Sequence, residues 1–179
     1  MPRAAGGARI WVGSFADARR RARTLATPWG DLPVVGIRDL VALKTTQRMA
    51  DYPVIDRLVL RELETCRPLS EDDLGWAAEH LYTQEGWDEA MTVAPDLAGR
   101  PDPDSALGRY VRTASSGEEA PREVRDGAER ELWEKMQAAR DADRTHWKNI
   151  IDQLRELRRQ GLLVPEGTPV APPGGRPDG

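Results

Sequence analysis

Apolar residues recur at helical spacing along most of the chain and cluster at strand spacing only near its start. Arg9-Ile10-Trp11-Val12 and Leu32-Pro33-Val34-Val35 are the two short β-prone runs, the second bounded by Asp31 and Gly36. Between them, residues 15 to about 25 read as a helix, with Ser14 as N-cap and Asp17 three residues on. After Gly36, the residues Ile37, Leu40, Val41 and Leu43 recur at helical spacing ahead of Lys44. A third helix starts near Pro53, a residue suited to a first turn, and carries Val54, Ile55, Leu58 and Val59. The order strand, helix, strand, helix, helix is an α/β pattern cut short, because two strands cannot bury a sheet edge by themselves.

Beyond residue 65 the pattern is helical. Ser70 followed by Glu71, Asp72 and Asp73 reads as an N-cap with acids in the first turn, where they complement the helix dipole. That helix carries Leu74, Trp76, Ala77, Ala78 and Leu81. Residues 95–108, rich in Pro and Gly, read as a loop, and residues 113–127 as a linker or a frayed helix start. The longest helix is expected from about 128 to 160. Its stripe is Leu132, Met136, Ala139, Trp147, Ile150, Leu154 and Leu157, interrupted by Asp143, with Gly161 as C-cap and Pro165 as stop. The expected fold is therefore mainly α with a small β component (α+β). It comprises a partial α/β unit over 1–65, a helical extension over 66–164 and a disordered Pro/Gly tail over 165–179.

Composition narrows the class without naming a function. The chain of 179 residues has a net charge of −4, 39% hydrophobic and 31% charged residues, and one cysteine, Cys66. A single cysteine excludes an internal disulfide framework. No apolar run reaches the ~18 residues of a membrane span, and no apolar segment follows Met1 in the manner of a signal peptide. A cytoplasmic protein with no membrane association is expected. The charge is uneven: residues 1–60 hold ten Lys+Arg and five Asp+Glu, and the remainder is acidic. An anionic ligand would thus meet the first third. The run Arg19, Arg20, Arg21, Arg23 reads equally as a solvated helix face.

The segment from Val34 to Tyr52 is the most informative for chemistry. Lys44 and Arg48 are four apart and Arg48 and Asp51 three apart, so on one helix the three share a face. Two cations there could hold a polyphosphate while Asp51 fixes one of them by an ion pair; an ordinary surface cluster has the same spacing. The histidines, His80 and His146, lack partners at metal-ligand spacing, and Cys66 has no activating basic pair. Trp76, Trp133 and Trp147 read as core or interface anchors.

Val34-Val35-Gly36, then Asp39-Leu40, Lys44 and the downstream Arg48 and Asp51, together resemble the C-terminal part of bacterial nucleotidyltransferase-fold proteins. That group includes the AbiEii-type toxins and a set of uncharacterised nucleotidyltransferase-like proteins. The segment from Ala139 to Trp147 is similar to the helical tail of the uncharacterised set. The resemblance implies that Lys44 contacts nucleotide phosphates. It also places the family's chemistry upstream, in a Gly-Ser turn and an Asp-x-Asp pair that holds magnesium, since two metal-bound carboxylates offset the charge gathered at the transferred group.

This chain departs from that pattern. Gly13-Ser14 reads as a helix N-cap, no Asp-x-Asp follows it, and the strand near Ile10 carries no acid, Asp17 being the nearest. Either the catalytic half is lost or the start lies too far downstream. The expected function is a nucleotidyltransferase-like protein that is catalytically inactive or a fragment, retaining nucleotide or phosphate binding through Lys44, Arg48 and Asp51. Mg2+ is expected only if the upstream motifs are supplied. The alternative is a helical, antitoxin-like interaction module that meets itself or a protein partner through Leu132, Met136, Trp147, Ile150, Leu154 and Leu157.

Overall fold

The computed structural model describes residues 15–164. The expected strand at 9–12, the Ser14 cap and the tail at 165–179 lie outside the described residues. Within them the chain is mainly helical, with seven α-helices, two 3-10 turns and one two-stranded antiparallel hairpin.

The first helix, α1 (Phe15–Arg21), stops four residues before the expected end, and the chain enters β1 (Arg23–Thr27). β1 pairs with β2 (Gly30–Val34) in the register Leu25 opposite Leu32 and Thr27 opposite Gly30. The helix ends because Thr24 and Thr27 favour extended backbone and a tight turn follows at once. Gly30 takes φ +112°, which side chains beyond glycine rarely adopt, and Thr27 Oγ1 donates to its carbonyl at 2.7 Å. The second β-prone run is thus a strand as expected, but its partner is the segment just before it.

Next come α2 (Ile37–Lys44), a 3-10 turn (Met49–Asp51) and α3 (Tyr52–Thr65), with Pro53 in the first turn. α3 is the centre of the core. It buries Tyr52, Ile55, Asp56, Val59, Glu62 and Leu63, an i, i+3, i+4, i+7 face that packs on α2, α4 and α5. α4 (Glu71–His80) begins with the capping box set by its sequence: Ser70 Oγ accepts from Asp73 N–H at 3.2 Å, and the Asp73 carboxylate accepts from Ser70 N–H at 2.7 Å. Residues on both sides of position 65 contribute to one buried core.

Two helices lie where the hydropathy pattern marks none. α5 (Gln84–Val93) is capped by Thr83, whose hydroxyl accepts from Gly86 N–H at 2.9 Å, and it buries Trp87 and Ala90. α6 (Ala106–Ser115) lies where a loop and linker were expected; Ser105 caps it, and Leu107, Tyr110 and Val111 are buried. The Pro/Gly-rich stretch holds a 3-10 turn (Pro95–Gly99) whose Leu97 is fully buried, so it belongs to the core. α7 (Arg122–Arg159) starts about six residues earlier than expected.

The chain divides into two compact units, residues 1–144 and 145–179. In the first, α7 contributes Ala128, Leu132, Met136 and Ala139 to the core. In the second, α7 ends as expected. Gly161 takes φ +70° and its N–H bonds Arg158 O, while Leu162 N–H bonds Leu157 O, a Schellman closure.

Candidate functional site

Lys44, Arg48 and Asp51 do not share one helix. α2 ends at Lys44, and residues 45–48 cross to the 3-10 turn that carries Asp51. The helix stops because the Thr45 hydroxyl turns back onto Val41 O at 2.8 Å, a side-chain bond that competes with continued helix. The crossing nonetheless brings two of the three together: Lys44 Nζ lies 3.2 Å from Asp51 Oδ1. The other Asp51 oxygen accepts from Thr46 Oγ1 at 3.4 Å. Arg48 is exposed, and among the described residues its guanidinium has no ion pair or hydrogen bond. Asp51 therefore orients Lys44 and leaves Arg48 open.

The crossing is braced from both sides by residues that sequence reasoning missed. Tyr52 Oη donates to Thr46 O at 2.9 Å, and Arg140 Nε on α7 donates to Gln47 O at 2.9 Å. Burial pushes the Tyr52 hydroxyl up to about 12, with nearby Arg140 opposing, so it stays a neutral donor across the physiological range. Thr46 Oγ1 also accepts from Arg48 N–H at 3.3 Å, which fixes where Arg48 leaves the backbone. The result is a held loop with two cations at its surface. Lys44 spends one donor on Asp51, and Arg48 keeps its five-donor fork for solvent or an anion. Two features work against an anion here: the carboxylate of Asp51, and the C-terminal end of α2, where the helix dipole favours cations.

A second polar cluster lies inside the same unit. Asp56, on the buried face of α3, accepts from Tyr82 N–H at 2.8 Å and from Thr83 Oγ1 at 2.6 Å. Lys135 on α7 donates to Ala78 O at 2.9 Å and Leu81 O at 2.8 Å, with its ammonium 4.9 Å from the centre of the Tyr82 ring. Burial raises the Asp56 carboxyl, against the hydrogen bonds from Thr83 and Tyr82. Burial pulls Lys135 down to about 8, against the nearby Asp56, Glu79 and Glu131. Both groups lock the joint between α4 and α5. The pattern does not single out Asp56, although its place between Ile55 and Val59 on an apolar face is the signal that could find it; nothing local marks Lys135.

The remaining candidates have local partners. Asp17 pairs with Arg20, and Asp39 takes a two-pronged bond from Arg21 at 2.6 and 3.0 Å. Arg38 gathers Glu62, Asp72 and Asp73 and stacks over Trp76. His80 Nδ1 donates to Trp76 O at 2.8 Å, and its ring stacks on Trp76. Burial and the neighbouring Glu62 push the Cys66 thiol up. Among the described residues no group of three His, Cys, Asp or Glu is placed to hold a metal ion. Lys44, Arg48 and Asp51 set one carboxylate beside two cations, a donor set that does not fit magnesium. Two open clefts, of about 450 and 720 Å3, lie along Tyr82, Leu132 and Trp133 and along Asp88, Tyr110 and Glu119; neither includes Lys44, Arg48 or Asp51.

No helix among the described residues is long and apolar enough to cross a membrane. The stripe of α7 divides: Leu132 and Met136 are buried, Ile150 is half-buried, and Trp147, Leu154 and Leu157 are exposed. The chain matches no protein-family model, no curated protein and no solved structure.

Proposed function

We propose that this chain is a nucleotidyltransferase-like protein without catalysis of its own, which holds a nucleotide through its phosphates at Lys44 and Arg48. The observation that carries this reading is the braced crossing between α2 and α3. It keeps one cation oriented by Asp51 and a second one open, on a loop tied down by Tyr52 and Arg140. A carboxylate pair for metal-assisted transfer is outside this reading, so binding rather than turnover is its content. Two surface cations opposed by one carboxylate give weak binding, a Kd on the order of 0.1–1 mM.

Titration calorimetry with the four magnesium nucleoside triphosphates tests it. Measurable heat with at least one of them is expected, and the double substitution Lys44→Ala/Arg48→Ala should weaken the binding by about tenfold or more, consistent with charge-assisted bonds of ~1.5–3 kcal/mol. Folded protein that gives no heat with any nucleotide overturns the reading. Metal-dependent transfer of a labelled nucleotide would overturn its inactive part.

A second reading, a helical interaction module, is favoured by a separate observation. The apolar face of α7 beyond residue 145 is exposed at Trp147, Ile151, Leu154 and Leu157.

A further inference from the structure

We propose that the open cleft between the α4–α5 joint and α7 seats the purine base of a nucleotide whose phosphates lie at Lys44 and Arg48. This rests on the phosphate-binding reading of those two cations and adds where the rest of the ligand sits.

The cleft, of about 450 Å3, falls within the ~300–1,000 Å3 of small-molecule sites. Buried Tyr82, Leu132 and Met136 line it, and Trp133 stands beside them 48% exposed. An indole next to buried apolar side chains is a stacking surface for a flat heteroaromatic ring.

Three contacts tie this cleft to the crossing at residues 45–48. The Tyr82 hydroxyl interacts with the side chain of Thr45, the residue after Lys44. The Tyr82 ring packs edge-on against Tyr52, with centroids 4.8 Å apart, and Tyr52 Oη donates to Thr46 O at 2.9 Å. On α7, Trp133, Met136 and Arg140 follow i, i+3, i+7 spacing and share a face, and Arg140 Nε donates to Gln47 O. Seven helical residues span about 10 Å, which suits the reach of an extended nucleoside triphosphate from its base to its outer phosphates.

Charge sets the direction of the ligand. Asp126 and Glu129 against Arg130 leave the cleft acidic by one charge, so it disfavours phosphate, which Lys44 and Arg48 favour. The neutral ring is the part that suits the cleft. Gln84 commits its Nε2 to Arg125 O at 2.6 Å, so its side-chain carbonyl is left as an acceptor. Glu129 has no ion pair or hydrogen bond among the described residues. Both offer acceptors to a base edge that carries N–H donors, as adenine and guanine do, and a purine covers more of the indole than a pyrimidine.

Titration calorimetry of the full chain tests the seat by comparing the four magnesium nucleoside triphosphates with magnesium tripolyphosphate, which has phosphates and no base. ATP or GTP is expected to bind about fivefold or more tightly than tripolyphosphate, CTP or UTP. Trp133→Ala should weaken the purine nucleotide about fivefold or more while tripolyphosphate stays within about twofold. Trp133→Phe, which keeps a stacking ring, should stay within about threefold of the wild type. Urea midpoints are expected to stay unchanged for so exposed a side chain, which separates a lost seat from a lost fold. Tripolyphosphate binding as tightly as every nucleotide, or a purine nucleotide indifferent to Trp133→Ala, overturns the base seat and leaves the phosphate reading standing. Purine binding that needs Trp133 but is indifferent to Lys44→Ala/Arg48→Ala, with no heat from tripolyphosphate, overturns the phosphate reading instead. No heat from any of these ligands overturns both.

Discussion

Lys135 shows how one side chain can set a pH dependence. Its ammonium closes the C-terminal end of α4 by donating to Ala78 O and Leu81 O, where the helix dipole welcomes a cation. Burial still costs it, which is why it titrates near 8 when folded against 10.5 when free. A lysine with a lowered folded pKa binds fewer protons in the folded state between those two values. Its charge is therefore a cost to folding below pH 8, and that cost is relieved as pH rises toward 10.5. The expected outcome is a contribution that grows by ~1–3 kcal/mol between pH 8 and pH 10. It should be read as the difference in urea stability between the wild type and Lys135→Met. The difference is needed because the Cys66 thiol and the Tyr52 and Tyr110 hydroxyls are all pushed up, and each lowers stability as pH climbs past its unfolded value. A flat difference across that window would show that the Lys135 ammonium is solvated. At this scale the sequence was only partly legible. Lys44 and Asp51 do meet, but through a turn and not along a helix face, because Thr45 spends its hydroxyl on Val41 O.

Among the elements, the joint of α4 and α5 is the most constrained. A Cβ built on Gly86 would stand 2.6 Å from Asp56 Oδ2, so the glycine is what lets α5 approach α3 closely enough for Thr83 and Tyr82 to reach that carboxylate. Gly86→Ala should gain helix propensity worth ~1 kcal/mol and lose more than that, for a net destabilisation of about 2 kcal/mol as the α3–α5 contact opens. Chemical denaturation checks the sign, since propensity alone predicts a more stable protein. Ser70→Ala, which removes one arm of the α4 capping box, should cost ~1 kcal/mol in the same measurement. Caps explain which elements were legible. Ser70 with its run of acids announced α4 and Gly161 announced the end of α7. Thr83 and Ser105 are also caps, but the pattern marks no helix behind Thr83, and Gly108 behind Ser105 falls in the Pro/Gly-rich stretch that reads as a loop. Gly86 and Gly108 are both there for close approach: at Gly108 a Cβ would meet the Asp102 backbone. The hairpin was half legible, because Arg23, Leu25 and Ala26 suit a helix and outweigh Thr24 and Thr27 in the pattern until the turn at Gly30 pairs the segment with β2.

For the molecule as a whole, the site and the core share supports that are distant in sequence. The crossing at residues 45–48 is held by Arg140 of α7, and Tyr52, which closes the crossing, also reaches Met136 O at 3.5 Å. Arg140→Ala touches neither Lys44 nor Arg48, yet it should loosen the crossing. Faster amide exchange at residues 45–48 is expected, together with nucleotide binding weakened about threefold or more, near the ~1 kcal/mol of one hydrogen bond. An unchanged affinity beside faster exchange would mean that the cations need no brace. The composition and the apolar stripe of α7 showed that it would be long, but not that its leading half is core and its trailing half exposed. That difference depends on which neighbours the fold supplies. The brace by Arg140 also has a consequence in time. A ribosome releases Lys44, Arg48 and Asp51 some ninety residues before the guanidinium that steadies them. A nascent chain can therefore display these cations early, but Arg140 can steady them only after the leading half of α7 has emerged and docked, so the crossing matures later than its own sequence is made.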